Sequence, residues 1–302
     1  MLRLWVASQD YRTDITVSEE RLKKVSETYR GIRNTLRYQL SNLYDFDPAQ
    51  HTVPDAQLTG LDKWVLRKLN SVEVRVQQRY DAYEFHIVYQ ILSQFAAVEL
   101  SAFYHDVCKD RLYTLAANHP KRRSTQTTLH RLVTGLCKML SPILAFTADE
   151  AWEFIPSKET PSSHLAVWVP PSELVELDPW DNLHALRLTA LPELEKARKE
   201  ANIGKSLEAE VVWEDNELSP AFQIAIKHSE DFQEILGVSK LTLLPVPSPD
   251  GTPSLLKRIT VRHAPGQKCE RCWHWETTVG ASAEHPTICP RCIEAVKQCS
   301  PS

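Results

Sequence analysis

Apolar residues recur every three or four positions between residues 18 and 44. Leu22, Val25, Tyr29, Ile32, Leu36, Leu40 and Leu43 form one face over several turns, which predicts an amphipathic helix. Ser18 stands where an N-cap belongs, with Arg21 at the position a capping box gives to Glu. The polar string FDPAQHTVPD then reads as a loop. A second helix is predicted over residues 58–78 and a third over 84–108. The third contains FHIVYQILSQFAAVELSAFYHDV, apolar on most sides, and is expected at the centre of a bundle. KDRLYTLAANHPKRRS reads as a basic connection, residues 124–139 as a fourth helix, and TADEAWEF as the start of a short one near Thr147. Together these predict an antiparallel helical bundle over residues 15–156.

The pattern changes at Pro156, where SKETPSSH is loop. WDNLHALRLTALPELEKARKE, residues 180–200, reads as a further helix. LEAEVVW and VSKLTLLPV read as strands, with LSPAFQIAIKHSEDFQEILG between them as one helix. Residues 157–250 are thus expected to hold a helix and a small α/β segment. Pro245, Pro247, Pro249 and Pro253 mark a linker, and KRITVRH looks like a last strand before a cysteine-rich tail. Residues 251–302 are expected to be a separate metal-binding module. The fold class is therefore mainly α, a helical bundle followed by a small α/β segment and a C-terminal four-cysteine module. The sequence holds no internal repeat and no low-complexity tract.

Eight glycines in 302 residues argue against a Gly-rich nucleotide-binding core. No apolar run approaches the roughly 20 residues that a membrane-spanning helix needs. MLRLWVASQDYRTD lacks the apolar stretch of a signal peptide, so none is expected. The formal net charge of −4 does not advertise a polyanion partner, but its distribution does more. Residues 19–37 balance to +3, residues 105–131 to +4 and residues 255–274 to +4, while 149–178 runs to −6. Such stripes are either solvated helix faces or surfaces that meet a polyanion.

Four of the seven cysteines come as two pairs, Cys269-x2-Cys272 and Cys289-x2-Cys292, sixteen residues apart. Each tight knuckle turns two thiolates toward one ion, and two knuckles supply the four soft ligands of a tetrahedral zinc site. With all four positions filled by protein, one structural zinc is expected, with no seat for a catalytic water. A redox or disulfide pair is the alternative. His274 and His285 are less suited while four thiols are present. Cys108 and Cys137 lie on helix faces as small core residues, and Cys299 has no partner in sequence. Arg271, Trp273, His274, Trp275 and Arg291 crowd onto the knuckles. An indole there can stack on an unpaired base, or it can cover the metal.

On the first helix Lys23, Arg30 and Arg37 recur at seven-residue steps, with Arg33 and Asn34 beside them. A guanidinium fork or an amide in such a stripe can grip a phosphate or present itself to a base edge. The string SEERLKKVSETYRGIRNTLRYQLSNLYDFDP closely resembles the start of the anticodon-binding domain of bacterial-type isoleucyl-tRNA synthetases. The resemblance continues through LSAFYHDVCKDRLYT, RRSTQTTLHRL, SPILAFTADEAW and LRLTALPELEKARKEANIGKSLEAEV, and ends in CERCW…CPRC. It covers almost the whole chain. The LSAFYxDxxKDRLY block separates it from the related valyl and leucyl enzymes.

The resemblance implies the tRNA-binding C-terminal part of a class I synthetase, an isoleucine–tRNA ligase acting in translation in the cytoplasm. That family joins isoleucine to its tRNA with ATP through an aminoacyl-adenylate. It implies Arg30, Arg33, Asn34 and Arg37 on the anticodon-stem side, and Arg271 and Trp273 near the anticodon loop of an isoleucine-acceptor tRNA. Gly31 departs from the family, which has a basic or polar residue there, and costs about 1 kcal/mol relative to Ala in mid-helix.

HIGH-type and KMSKS-type signatures do not occur in the sequence, and no catalytic residue is assigned. LRLWVASQDY resembles the exit from the catalytic domain, so residues 1–14 are expected to be that segment. ATP is then expected only in a catalytic part outside this chain, which becomes a candidate partner, and the chain alone is not expected to be active. Leu2, Leu4, Trp5 and Val6 are expected to form a surface belonging to a larger core. That weighs against the alternative, a free-standing tRNA-binding or regulatory protein derived from a synthetase. A zinc-stapled scaffold for protein partners is a third reading.

Several features carry less than they suggest. Ile203-Gly204-Lys205-Ser206 looks like the end of a P-loop, but its first glycine would fall at Lys199 and a strand follows it. Asp149, Glu150 and Glu153 suit a helix start better than a carboxylate pair. His86, His105 and His130 have no nucleophile or metal partner in sequence.

Overall fold

The computed structural model describes residues 1–171, 179–200, 203–248 and 257–299. The chain divides into two units, one of Met1–Leu112 with Ala117–Glu176, the other of Tyr113–Ala116 with Leu177–Ser302.

The first unit is helical. It contains α1 (Leu2–Ala7), α2 (Glu19–Ser41), α3 (Pro48–His51), α4 (Gly60–Asp81), α5 (Phe85–Gln94), α6 (His105–Thr114, whose last two residues count with the second unit), α7 (Pro120–Leu140) and α8 (Ala145–Glu153). Ser18 caps α2 by accepting a hydrogen bond from Arg21 N at 3.3 Å, and Val25, Ile32 and Leu36 turn inward as the periodicity predicts. The loop read at FDPAQHTVPD holds the single turn of α3, started by Asp47. The third predicted helix runs longer than expected, from residue 85 to 114. It widens to a π-helical turn over Phe95–Tyr104 before α6. Its side chains Val88, Leu92, Phe95, Leu100, Phe103 and Tyr104 are all buried, which is the central position its composition demands.

Two expectations change. Leu4 is buried in the bundle and Trp5 is half-buried, while Leu2 and Val6 stay exposed, so α1 seats only part of that apolar surface in this unit. Arg3 fastens it, donating to the carbonyls of Ile143 at 2.9 Å and Pro142 at 2.8 Å. The basic connection over residues 109–124 is helical at both ends. Pro120 opens α7, where its missing N–H costs nothing.

Arg111, Arg122 and Arg123 of that stretch point inward because carboxyl groups on other elements receive them, while Lys109 stays exposed beside Asp106. Asp62 accepts from Tyr104 Oη (2.5 Å), Ser124 Oγ (2.6 Å), Thr59 Oγ1 (2.7 Å) and Arg111 Nη1 (3.2 Å). Asp62 and Arg111 have 0% and 1% of their side chains exposed. Asp45 takes both arms of Arg122, at 2.7 and 3.0 Å, and the amide of Gln126 at 2.7 Å.

The second unit sets helices against a small sheet. It contains α9 (Pro179–Glu200), β1 (Ala209–Asn216), α10 (Pro220–Lys227), α11 (Ser229–Leu236), β2 (Lys240–Val246), β3 (Lys257–His263), β4 (Gln267–Lys268), β5 (Trp275–Glu276) and α12 (Pro290–Cys299). β1 is central, parallel to β2 and antiparallel to β3. The expected last strand, KRITVRH, is therefore an edge of the same sheet as LEAEVVW. The single helix expected at residues 218–237 breaks at His228, and Gly237 ends it at φ 66°, a left-handed position natural to glycine. Pro245 lies inside β2, on its outer side; Pro249 and Pro253 fall outside the described residues. On one sheet face Trp213 meets Phe232 edge-on at 5.5 Å. On the other Glu210, nearly buried, accepts from Arg262 at 2.9 Å and pairs with Lys240 at 3.0 Å. No helix among the described residues is long and apolar enough to cross a membrane.

Asp62→Ala leaves Arg111 buried without its carboxyl partner. The substitution is expected to cost about 3–5 kcal/mol, seen as a lower midpoint of chemical unfolding of the full chain. A loss under about 1 kcal/mol would remove Asp62 from the centre of this account. A second expectation concerns pH. His105 is buried, stacked on Tyr38 at 4.3 Å, and burial holds its imidazole at about 3 instead of 6.5. Between those values the unfolded chain binds one more proton than the folded one. Stability therefore falls as pH drops from about 6.5 toward 3, by up to about 1.4 kcal/mol per pH unit. His105→Gln should flatten the pH 5–6.5 limb, where carboxylates contribute little; an unchanged limb would assign it to another group.

Candidate metal centre and nucleic-acid interface

The cysteine knuckles rest on a minimal hairpin. β4 and β5 pair Gln267 with Glu276 and Lys268 with Trp275, and the first knuckle is the turn between them. Gly266 makes the close approach this needs. At φ 96° a Cβ there would lie 2.3 Å from the backbone of Glu276, so no other residue fits. The turn is held by Cys269 N donating to His274 O at 2.8 Å and Trp273 N to Cys269 O at 2.9 Å. The second knuckle opens α12, and Cys289 N donates to Cys269 Sγ at 3.3 Å, joining the two.

The four sulfurs lie within 4.8 Å of one another and all four residues are buried. Cys272 Sγ and Cys289 Sγ are 3.7 Å apart. Zinc–sulfur bonds of about 2.3 Å at tetrahedral angles place sulfurs about 3.8 Å apart, so this spacing fits a zinc ion. It is far beyond the roughly 2.05 Å of a disulfide. Hydrogen bonds from Cys272 and then Cys292 hold the Cys289 thiol below its ordinary range. The cluster is covered by Val279, with Ile288 packed against it. Trp275 instead stands edge-on to His263 at 4.3 Å. Trp273 is about half exposed, with Lys205 Nζ 4.8 Å and Lys268 Nζ 5.7 Å from its ring centroid. Arg271 is engaged within its own unit, donating to the Thr114 carbonyl and to Cys292 Sγ at 3.6 Å.

In the other unit, Arg30, Arg33, Asn34 and Arg37 are all exposed and share one side of α2, opposite Ile32 and Leu36. Arg33 lies 3.8 Å from Glu150 of α8, both half exposed, a pairing that water weakens. Among the described residues Arg30 and Arg37 have no carboxylate partner. Around Gly31 nothing lies within 4 Å of where a side chain would begin, so the position is open surface. Arg33 and Arg37 border a groove of about 510 Å³ that also takes in Leu40, Tyr44, Glu150 and Phe154. Tyr44 and Phe154, both strongly exposed, line this groove, and Phe146 on α8 is strongly exposed as well. Sequence periodicity does not single them out, since Tyr44 and Phe154 lie just past the ends of α2 and α8.

The remaining sequence candidates resolve structurally. Lys205 precedes a single 3-10 turn, Ser206–Glu208, and then β1, so no helix N-terminus follows it to hold a nucleotide phosphate. Asp149 Oδ1 accepts from Ser162 Oγ and Ser163 N, tying down the loop after α8. Arg111, Arg122 and Arg123, half of the basic residues in 105–131, are buried among carboxyl groups and backbone.

Comparison with known proteins matches this architecture. Residues 62–213 match the family described as the anticodon-binding domain of tRNA ligase, and residues 266–295 the zinc finger found in FPG and IleRS. The isoleucine–tRNA ligase of Syntrophotalea carbinolica is 41% identical over 302 residues, covering 97% of this chain and 32% of that protein. That of Geobacter sulfurreducens is 41% identical over 310 residues, covering 98% and 33%. That of Halalkalibacterium halodurans is 43% identical over 302 residues, covering 98% and 33%. The chain spans about a third of the length of these relatives, and the matched part is their C-terminal part.

Cys269→Ser removes one sulfur from the cluster and the acceptor of Cys289 N. Zinc content is expected to fall from one per chain toward zero, with the hairpin unfolding while the helical signal of the bundle persists. A variant that still carries one tightly held zinc would rule out the four-sulfur site.

Proposed function

The chain belongs to the family of anticodon-binding domains of tRNA ligases, and from that premise we propose that it is the tRNA-binding C-terminal part of an isoleucine–tRNA ligase. The observation that carries the reading is the likeness to isoleucine–tRNA ligases along 97–99% of the chain, with no stretch set apart. That continuity favours it over a free-standing tRNA-binding protein. The whole enzyme would join isoleucine to its tRNA with ATP, through an aminoacyl-adenylate, in the cytoplasm. ATP and the amino acid would be handled by the catalytic part, and this chain would hold and orient the tRNA.

The exposed side of α2 supports this role. Arg30, Arg33 and Arg37 offer guanidinium groups at one-turn spacing, suited to successive phosphates, and Asn34 offers an amide to a base edge. Arg33 would exchange its screened contact with Glu150 for a phosphate. We assign these residues to the anticodon stem and loop. Trp273 we assign to an unpaired base, with Arg271 setting the knuckle behind it through its bonds to Thr114 and Cys292. Cys269, Cys272, Cys289 and Cys292 would hold one zinc ion, which supplies a cross-link between the knuckles and no chemistry on the substrate.

Titration of the zinc-loaded chain into isoleucine tRNA, against the same tRNA with a changed anticodon and at two salt concentrations, tests the reading. Tighter binding of the native anticodon is expected, and no salt-sensitive binding to either would overturn it. Arg33→Ala should weaken binding to both and reduce the logarithmic salt slope by about 0.7–0.9, the share of one phosphate contact. An unchanged slope would take Arg33 off the phosphate path.

A further inference from the structure

Four buried sulfurs around a metal ion leave charge that something else must meet. Cys269, Cys289 and Cys292 are 0% exposed and Cys272 5%. Four thiolates and one Zn²⁺ carry a net charge of about −2. Val279 and Ile288, which cover the cluster, bring no charge to it. A buried charge is stable only where donors or a fixed counter-charge face it. Cys289 N donates to Cys269 Sγ at 3.3 Å, and Arg271 Nη1 donates to Cys292 Sγ at 3.6 Å. The first donor is a neutral amide; the second belongs to a guanidinium that never loses its charge.

The same nitrogen has a second acceptor. Arg271 Nη1 also donates to the carbonyl of Thr114, 157 positions earlier in the chain. Thr114 is the last residue of α6 and counts with the second unit. The last carbonyls of a helix have no N–H from a following turn, and they form the negative end of its dipole. Thr114 is 7% exposed, so little water reaches it in place of a donor. Arg271, itself half-buried, thus sets one N–H group on a helix end and another on a sulfur of the cluster.

We propose that Arg271 is the counter-cation of the metal cluster and ties metal occupancy to the last turn of α6. This rests on the reading of the four cysteines as a zinc site. It goes further in assigning the charge of Arg271 to the protein's own interior. With the metal bound, the Cys292 thiolate holds Nη1 in place, and Nη1 holds the Thr114 carbonyl. Without the metal the knuckles part, Nη1 loses its anchor, and the carbonyl loses a fixed donor. Outer groups that donate to metal ligands set how tightly the ion is held, so the same contact governs metal affinity.

The test uses the full chain loaded with Co²⁺, whose thiolate charge-transfer absorption reports the electron density on sulfur. A cation beside a sulfur lowers its lone pair and raises the transition energy. Arg271→Gln is therefore expected to move this band to longer wavelength, while the ligand-field bands of a tetrahedral four-sulfur site remain. Affinity for Zn²⁺, measured against a competing chelator, should fall about 10- to 100-fold. Amide exchange over residues 113–117 should quicken in this variant and equally in the wild-type chain stripped of metal. Arg271→Lys keeps the charge and should restore most of the band position and affinity. A band and an affinity unchanged in Arg271→Gln would overturn the counter-cation, and exchange at 113–117 indifferent to metal would overturn the tie to α6. If the glutamine variant takes up no metal, the lysine variant decides: restored binding supports the proposal and absent binding overturns it. A wild-type chain that takes up no metal would overturn the zinc reading itself, which the other outcomes leave standing.

Discussion

A carboxyl group with none of its surface in water must be satisfied from within, and Asp62 is that group here. It draws hydroxyls from Thr59, Tyr104 and Ser124 and the guanidinium of Arg111, so one side chain on α4 fixes the positions of α6 and α7. The first half of α7 follows from the same demand. Residues 122–128 read as polar and basic, yet all seven are buried. Asp62 and Asp45 are the receptors that allow it. A bundle built this way spends its central cations on its own architecture, while α2 keeps Arg30, Arg33 and Arg37 at the surface.

This explains where the sequence was legible and where it was not. Helix α2 could be read from its apolar period and its cap, because both signals lie within about 25 residues of chain. The metal cluster was legible because each knuckle is a local spacing. The fate of Arg122 was not, since the decisive neighbour, Asp45, lies 77 positions earlier and charge patterns do not reveal which helix turns toward which. For the same reason Lys205 looked like a failed P-loop. Its neighbour Trp273 is 68 positions away, and only folding brings them together. β3 was correctly read as a strand, but its pairing with β1 spans the Pro-marked stretch that suggested a boundary. Pro192 is the reverse case. It sits inside α9 against the usual rule, and buried Leu186, Ala190 and Leu194 carry the helix past it.

The two candidate contact regions differ in physical character. On α2 the cations are presented by a long helix whose opposite face is buried, so their spacing is rigid and set by helical geometry. Such a surface suits the regular spacing of phosphates proposed for it. Around Trp273 the contact sits on a turn, and its ring is aimed by a left-handed residue. That surface suits a nucleotide displaced from a helix. A paired stem and an unpaired loop occur together at the anticodon end of a tRNA, which is why the proposed reading assigns one kind of surface to each.

The turn that aims Trp273 cannot hold itself. β4 and β5 contribute two residues each, and the apolar cover over the sulfurs comes down to Val279 and Ile288. An isolated two-stranded hairpin is marginal even at several times that length. Four-thiolate coordination of zinc is worth about 10–16 kcal/mol in small domains of this kind, well beyond what two aliphatic side chains supply. The left-handed angle at Trp273, a cost of about 1–3 kcal/mol, is affordable only inside that margin. Metal and indole are therefore one device. The sulfurs fix the knuckle, the knuckle imposes the strained angle, and the angle puts an aromatic face where Lys205 and Lys268 can reach it. The helical surface on α2 needs none of this, so under the proposed reading loss of zinc would disturb the contact at Trp273 and leave the arginines of α2 in place.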